Sequence, residues 1–96
     1  MDRIYIIDLY DCYSVLLTKK QQNYFEDYYF NDLSLKEISD NENISRNAVF
    51  KQIKTIEKKL NDYEEKLHLH VKDLKLKKII DEITDEKIKE KLKELE

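Results

Sequence analysis

Residues 35–53 read LKEISDNENISRNAVFKQI, and this stretch decides the fold. Two short apolar-periodic runs meet at Asn43-Ile44-Ser45. Leu35 and Ile38 share one face of the first run, Ile44 plugs the junction, and Val49 and Ile53 return at helical separation on one face of the second. Ser45 supplies the side-chain oxygen that an N-cap needs to bond the free N–H groups of the next turn. Asn43 stands where the turn needs positive φ, a conformation that asparagine tolerates best after glycine. The pattern is that of a helix-turn-helix spanning 34–60, in which a first helix braces a second and the second offers its outer face to a groove.

Upstream, Ser34 followed by Glu37 forms a capping box, S-x-x-E, that starts the brace helix, and Asn31-Asp32 makes the turn before it. Thr18 is the N-cap of a helix from Lys19 to about Phe30, whose inward positions are Tyr24, Phe25, Tyr28 and Tyr29. From Arg3 to Leu16 the chain is apolar almost throughout. With Asp8 and Asp11 on one face, Ile6, Leu9, Tyr10, Tyr13, Leu16 and Leu17 form a broad band expected to be buried. Downstream, Val49, Ile53, Ile56, Leu60, Tyr63 and Leu67 alternate steps of four and three. They predict one long helix from Arg46 to Leu69, roughly 36 Å at 1.5 Å per residue. Its C-terminal half must pack on the N-terminal segment, on the tail or on a second subunit. The domain plan is then 1–70, holding the helix-turn-helix, and an amphipathic helical tail over 71–96 with a break at Thr84-Asp85. A helix of the tail's size is marginal alone in water, so the tail docks or frays.

The chain has 96 residues, one small domain with material for a modest core. Charged residues are 41% and there is neither glycine nor proline, so an all-α protein is expected, its turns built from Asn, Asp, Ser and Thr. Cys12 is the single cysteine, which excludes an internal disulfide or a cysteine-based zinc site and suits a reducing cytosol. No apolar run approaches the ~20 residues of a membrane span, and acids interrupt the N-terminal apolar segment where a signal peptide needs continuity. A cytoplasmic location without membrane insertion follows as the expectation.

Net charge is −3, against an indiscriminate nucleic-acid binder, but its distribution is uneven. Residues 1–16 carry −2, 17–44 carry −3 and 61–96 carry −2, whereas 45–60 set five bases against Glu57 alone and carry +4. On a helical wheel Asn47, Lys51, Lys54 and Lys58 lie opposite the aliphatic seam, Phe50 and Thr55 flank them, and Arg46 occupies the first turn. Lysines neutralise phosphates, an amide pairs with a base edge, and an apolar ring touches a thymine methyl. Arg46, Asn47, Phe50, Lys51, Lys54 and Lys58 are therefore the candidate nucleic-acid-binding residues, and a plain solvated helix face is the competing reading.

The other reactive residue types point to structure. His68 and His70 form H-x-H, but within one helix residues two apart diverge by about 200° and share no ion, so no metal site is expected. Seven tyrosines and three phenylalanines, most of them before residue 31, have the spacing of core packing rather than of a base-stacking platform, with Tyr5, Tyr10 and Tyr29 the ones left room for exposure. Cys12 lacks an adjacent base, has Asp8 and Asp11 nearby, and reads as a small buried apolar residue. No nucleophile–base pair, phosphate loop or metal cluster is present in the sequence, so neither catalysis nor a cofactor is expected.

The run LTKKQQNYFEDYYFNDLSLKEISDNENISRNAVFKQIKTIEKKLNDYEEKLHL, with LYDCYSVL before it, closely resembles the YlxM family of bacterial helix-turn-helix proteins, itself similar to DNA-binding region 4 of sigma factors. The resemblance covers about Leu9 to Leu69 and is carried by LYDCYSVLLT, SLKEIS, ISRNAVF and YEEKLHL. It implies a fold of the winged-helix/homeodomain-like DNA-binding type in a cytoplasmic protein of low-GC Gram-positive type bacteria. It also implies a regulatory or accessory role associated with the signal recognition particle pathway. Carried over by position, the sigma-like recognition face is Arg46, Asn47, Phe50, Lys51 and Lys54. The turn position often held by glycine is Asn43 here, and the net acidity leaves room for a protein partner.

Three functions compete on this reading. The first is contact with double-stranded DNA, or with the particle's RNA, through 46–58. The second is an interaction module for a protein component such as the particle's GTPase, with the helix-turn-helix as scaffold. The third is a homodimer formed through the N-terminal helix and the long fourth helix.

Overall fold

The structure is a computed structural model in which residues 2–83 and 86–95 are described. Those residues form six α-helices and no strand: α1 (Arg3–Tyr13), α2 (Lys19–Tyr29), α3 (Leu35–Glu42), α4 (Arg46–Leu67), α5 (Leu69–Glu82) and α6 (Glu86–Lys93). The all-α helix-turn-helix expectation holds, with α3 and α4 as its two arms. No helix among the described residues is long and apolar enough to cross a membrane.

The starts of α1 to α4 are each fixed by a side chain that satisfies otherwise orphaned amides. Asp2 accepts from the N–H of Ile4, and Ser45 accepts from the N–H of Ala48. Ser34 and Glu37 form the reciprocal box read from sequence. Thr18 and Gln21 form a second one that the sequence reading missed. Among the described residues three bends take a left-handed residue, and with no glycine available they fall to Asp32 (φ 53°), Asn43 (φ 56°) and His68 (φ 55°). At Asn43 the backbone N–H reaches the carbonyl of Ser39, and so does that of Ile44, closing the turn between the arms.

The core collects Ile6, Leu9 and Tyr13 from α1, Phe25 from α2, Ile38 from α3, and Val49, Ile56 and Leu60 from α4, all fully buried. Tyr10 stacks on Phe25 at 4.1 Å between centroids, Phe25 on Tyr29 at 4.5 Å, and Phe30 meets both Tyr10 and Phe25 edge-on. The aromatic residues of the first third therefore build the core, and Tyr10, one of those left room for exposure, is buried. Tyr5 and Tyr29 are half-buried.

Several boundaries differ from the sequence reading. The first α-helix stops at Tyr13, and Ser14–Leu16 tighten into a 3₁₀ turn. The altered rotation turns Leu16, expected in the buried band, out to 49% exposure, while Leu17 is buried as expected. Phe30 is the cap after α2, which ends at Tyr29. Helix α4 ends at Leu67 rather than Leu69 because His68 turns left-handed and starts α5, and Leu67, expected on the buried seam, is 43% exposed at the last position of the helix. The histidine pair therefore straddles a helix junction. His70 meets the Tyr5 ring edge-on at 5.5 Å. Cys12 is half-buried rather than buried. Burial pushes its thiol up, as do the nearby carboxylates of Asp73, Glu64, Asp11 and Asp8.

The tail docks. Helix α5 lies on α1 and α6 packs against α5, and Ile80 of α5 is buried outside the main core cluster. Helix α5 ends where Ile83 turns extended, and the break expected at Thr84-Asp85 lies outside the described residues. A polar knot that the sequence reading missed joins α1, α4 and α5. The buried carboxylate of Glu64 accepts from the Tyr13 hydroxyl (2.6 Å) and from the backbone N–H groups of His70 (3.0 Å) and Val71 (3.3 Å). The Tyr13 oxygen in turn accepts from the N–H of Leu69 (3.0 Å). A residue of α4 thus serves as the N-cap that His68 does not supply to α5. Burial raises the Glu64 carboxyl, but the hydrogen bonds from Tyr13, His70 and Val71 and the charge of His70 outweigh it and hold the carboxyl below its ordinary value. The Tyr13 phenol is pushed up to about 12, by burial first and then by its bond to Glu64.

Candidate nucleic-acid interface

Ser45 sets the site by starting α4 immediately after the left-handed Asn43. Arg46 and Asn47 then fall in the first turn, Phe50 and Lys51 in the second, and Lys54 and Lys58 on the turns beyond. Val49, Ile53, Ile56 and Leu60 hold the opposite side of the helix in the core. All six candidate residues are exposed with α5 and α6 in place, so the tail does not cover this face. The first turn of α4 carries no acidic residue, so the positive end of the helix dipole and the Arg46 charge act in the same direction on an approaching phosphate.

The six are not equivalent. Lys54 Nζ lies 3.3 Å from Glu57 Oε1 and 5.4 Å from the centroid of the Phe50 ring. Glu57 is only 6% exposed, and its other oxygen accepts from the Tyr29 hydroxyl, which ties α4 to α2. Burial pushes the Tyr29 phenol up, as does this bond. Lys54 therefore lies between a buried carboxylate and a surface ring, paired with the first while its side chain stays 59% exposed. Among the described residues Arg46, Lys51 and Lys58 form no ion pair. Phe50 keeps 45% of its surface exposed in the middle of this polar face.

The sequence reading counted Glu57 only as a stray acid in a basic segment and passed over Glu64. The signal was present: both are acids at the margin of the apolar seam, seven residues apart and hence on the same side of α4. Their partners, Tyr29 and Tyr13, are 28 and 51 residues away in sequence, and no local spacing reveals them.

Elsewhere, a groove of about 250 Å³ between α1 and α5 is lined by Asp8, Asp11, Cys12, His70, Asp73, Leu74 and Lys77. Among the described residues no three His, Cys, Asp or Glu side chains converge so as to hold a metal ion.

Comparison with known proteins adds the family. A family model, UPF0122, described as "Putative helix-turn-helix protein, YlxM / p13 like", matches residues 1–96. The UPF0122 protein YofM of Lactococcus lactis subsp. lactis (strain IL1403) is 44% identical over 93 residues, covering 92% of this chain and 84% of that protein. A UPF0122 protein of Oceanobacillus iheyensis is 44% identical over 91 residues, covering 91% and 87%. One from Lactococcus lactis subsp. cremoris (strain MG1363) is 57% identical over 61 residues, covering 64% of this chain and 55% of that protein. With its two arms, the left-handed turn between them and a match over its whole length, the chain belongs to the UPF0122 family of YlxM-like helix-turn-helix proteins.

Proposed function

We propose that this protein is a non-enzymatic regulatory or accessory factor that binds double-stranded DNA by laying the outer face of α4, residues 46–58, into a groove. One observation carries the reading: Arg46, Asn47, Phe50, Lys51 and Lys58 stand exposed on the second arm of the motif, while its aliphatic seam is buried. Arg46, Lys51 and Lys58 meet phosphates, Asn47 pairs with a base edge, and Lys54 positions Phe50. With three cations in contact, the slope of log affinity against log salt is about −2.7 per chain. Titration of random-sequence duplex DNA at two salt concentrations tests this. No binding, or binding unchanged by Lys51→Glu with Arg46→Glu, removes the proposal.

The YlxM resemblance supports a role in the signal recognition particle pathway in the cytoplasm, so the particle's RNA is the second ligand in the same titration. A protein target is supported by a different observation. Val71, Leu74 and Ile79 of α5 keep 39–53% of their surface exposed, away from the α4 face. On this second reading they dock a protein component of the particle such as its GTPase. A pull-down that survives high salt and charge reversal on α4, and is lost with Leu74→Asp, distinguishes it. The inner face of α1 is occupied within the monomer by α4 and α5. A homodimer through α1 and α4 therefore has only outer faces to use, and light scattering at the monomer mass of 11.7 kDa across concentration removes it.

A further inference from the structure

We infer that Phe50 makes this face a reader of thymine, and therefore of duplex DNA rather than RNA; the inference rests on the groove-facing reading above. A single exposed apolar side chain is ordinary on a protein surface. Phe50 differs in how it is held. The Lys54 ammonium sits 5.4 Å from its ring centroid, Lys54 is anchored by Glu57 Oε1, and Glu57 is fixed from its other oxygen by the Tyr29 hydroxyl of α2. A chain of contacts running from the protein interior thus ends on a hydrophobic ring in the second turn of the recognition helix. Its neighbours on that surface, Arg46, Asn47 and Lys51, are all polar.

The chemistry of the groove selects what such a ring meets. In the major groove of B-form DNA every base edge offers hydrogen-bonding atoms, and the apolar group presented there is the C5-methyl of thymine. Uracil lacks it, and the deep, narrow major groove of A-form RNA excludes side chains altogether. Lys54 is paired with Glu57 at 3.3 Å, so the ring beside it is not merely the stem of a phosphate contact. Asn47, three residues earlier on the same side of the helix, is placed to pair with an adenine beside that thymine.

The test uses the full chain and a library of random-sequence duplexes, from which bound molecules are selected. The selected duplexes are then resynthesised with single thymidines replaced by deoxyuridine, a change that removes one methyl group and leaves pairing intact. At one position the replacement is expected to weaken binding about fourfold, the worth of one buried methyl-sized group. Phe50→Ala binds the thymidine and deoxyuridine duplexes equally, and Phe50→Leu keeps part of the preference. Equal binding of both duplexes by the native chain, or a preference that survives in Phe50→Ala, overturns the thymine inference and leaves the groove-binding proposal standing. Failure of any duplex to bind overturns both. Because the Phe50 ring lies outside the core, the alanine variant folds, and its circular dichroism and melting point matching the native chain secure the comparison.

Discussion

Replacing Glu64 by alanine is expected to release α5 while leaving the helix-turn-helix folded. The carboxylate accepts three hydrogen bonds, from the Tyr13 hydroxyl and from the backbone N–H groups of His70 and Val71. Bonds to a charged group contribute about 1.5–3 kcal/mol each when nothing replaces them. The N–H groups at the start of α5 regain water once the helix lifts, so a total near 3 kcal/mol is reasonable rather than the full sum. What else holds α5 is its contact with α1, where His70 meets the Tyr5 ring edge-on, while Ile80 is buried outside the main core cluster. Loss of the knot at about 3 kcal/mol raises the opening equilibrium of the helix about a hundredfold. Amide hydrogen exchange read helix by helix is the assay. Protection over 69–82 should fall by about that factor, with α3 and α4 unchanged. Unchanged exchange in α5, or an equal fall in α3 and α4, would refute the view that Glu64 is the clasp of the tail rather than a general support of the core.

Four further outcomes follow from the structure. The Glu64 carboxyl is held below its unfolded value, so its contribution is present above that value and is lost as pH falls through the folded one. Acid titration of α5 exchange should show this loss, and Glu64→Gln should abolish it. At the alkaline end, the Tyr13 phenol is raised from 10 to about 12, and its stabilisation is complete below pH 10 and lost as pH rises through about 12. Tyrosinate absorbance and unfolding should therefore rise together there. Asn43→Gly and His68→Gly should each raise stability by up to about 1 kcal/mol, since glycine adopts φ near +55° without the Cβ penalty, and thermal melts of the two variants decide it. Lys51→Gln should lower the salt slope of DNA binding by about 0.9, whereas Lys54→Gln, whose charge is already paired with Glu57, should change it by much less.

The amino-acid sequence by itself determined the helix-turn-helix: Ser34 with Glu37, Asn43 and Ser45 are capping and turn signals whose partners lie within a few residues. The same holds for the inward seam of Val49, Ile53, Ile56 and Leu60, because helical periodicity alone fixes which side of α4 is apolar. What the sequence did not decide was set by contacts between residues far apart in the chain. It counted Glu57 as a lone acid among the lysines of the outer stripe, and only the folded arrangement, with the Tyr29 hydroxyl of α2 donating to it, buries that carboxylate beside Lys54. It continued α4 to Leu69 and left the tail free to dock or fray, because the reasons for the bend at His68 and for the docking of α5 are Tyr13 and Glu64, brought together across 51 residues. Backbone amides at a helix start demand partners wherever they can be found, and which side chain answers that demand from another helix is a property of the packed molecule.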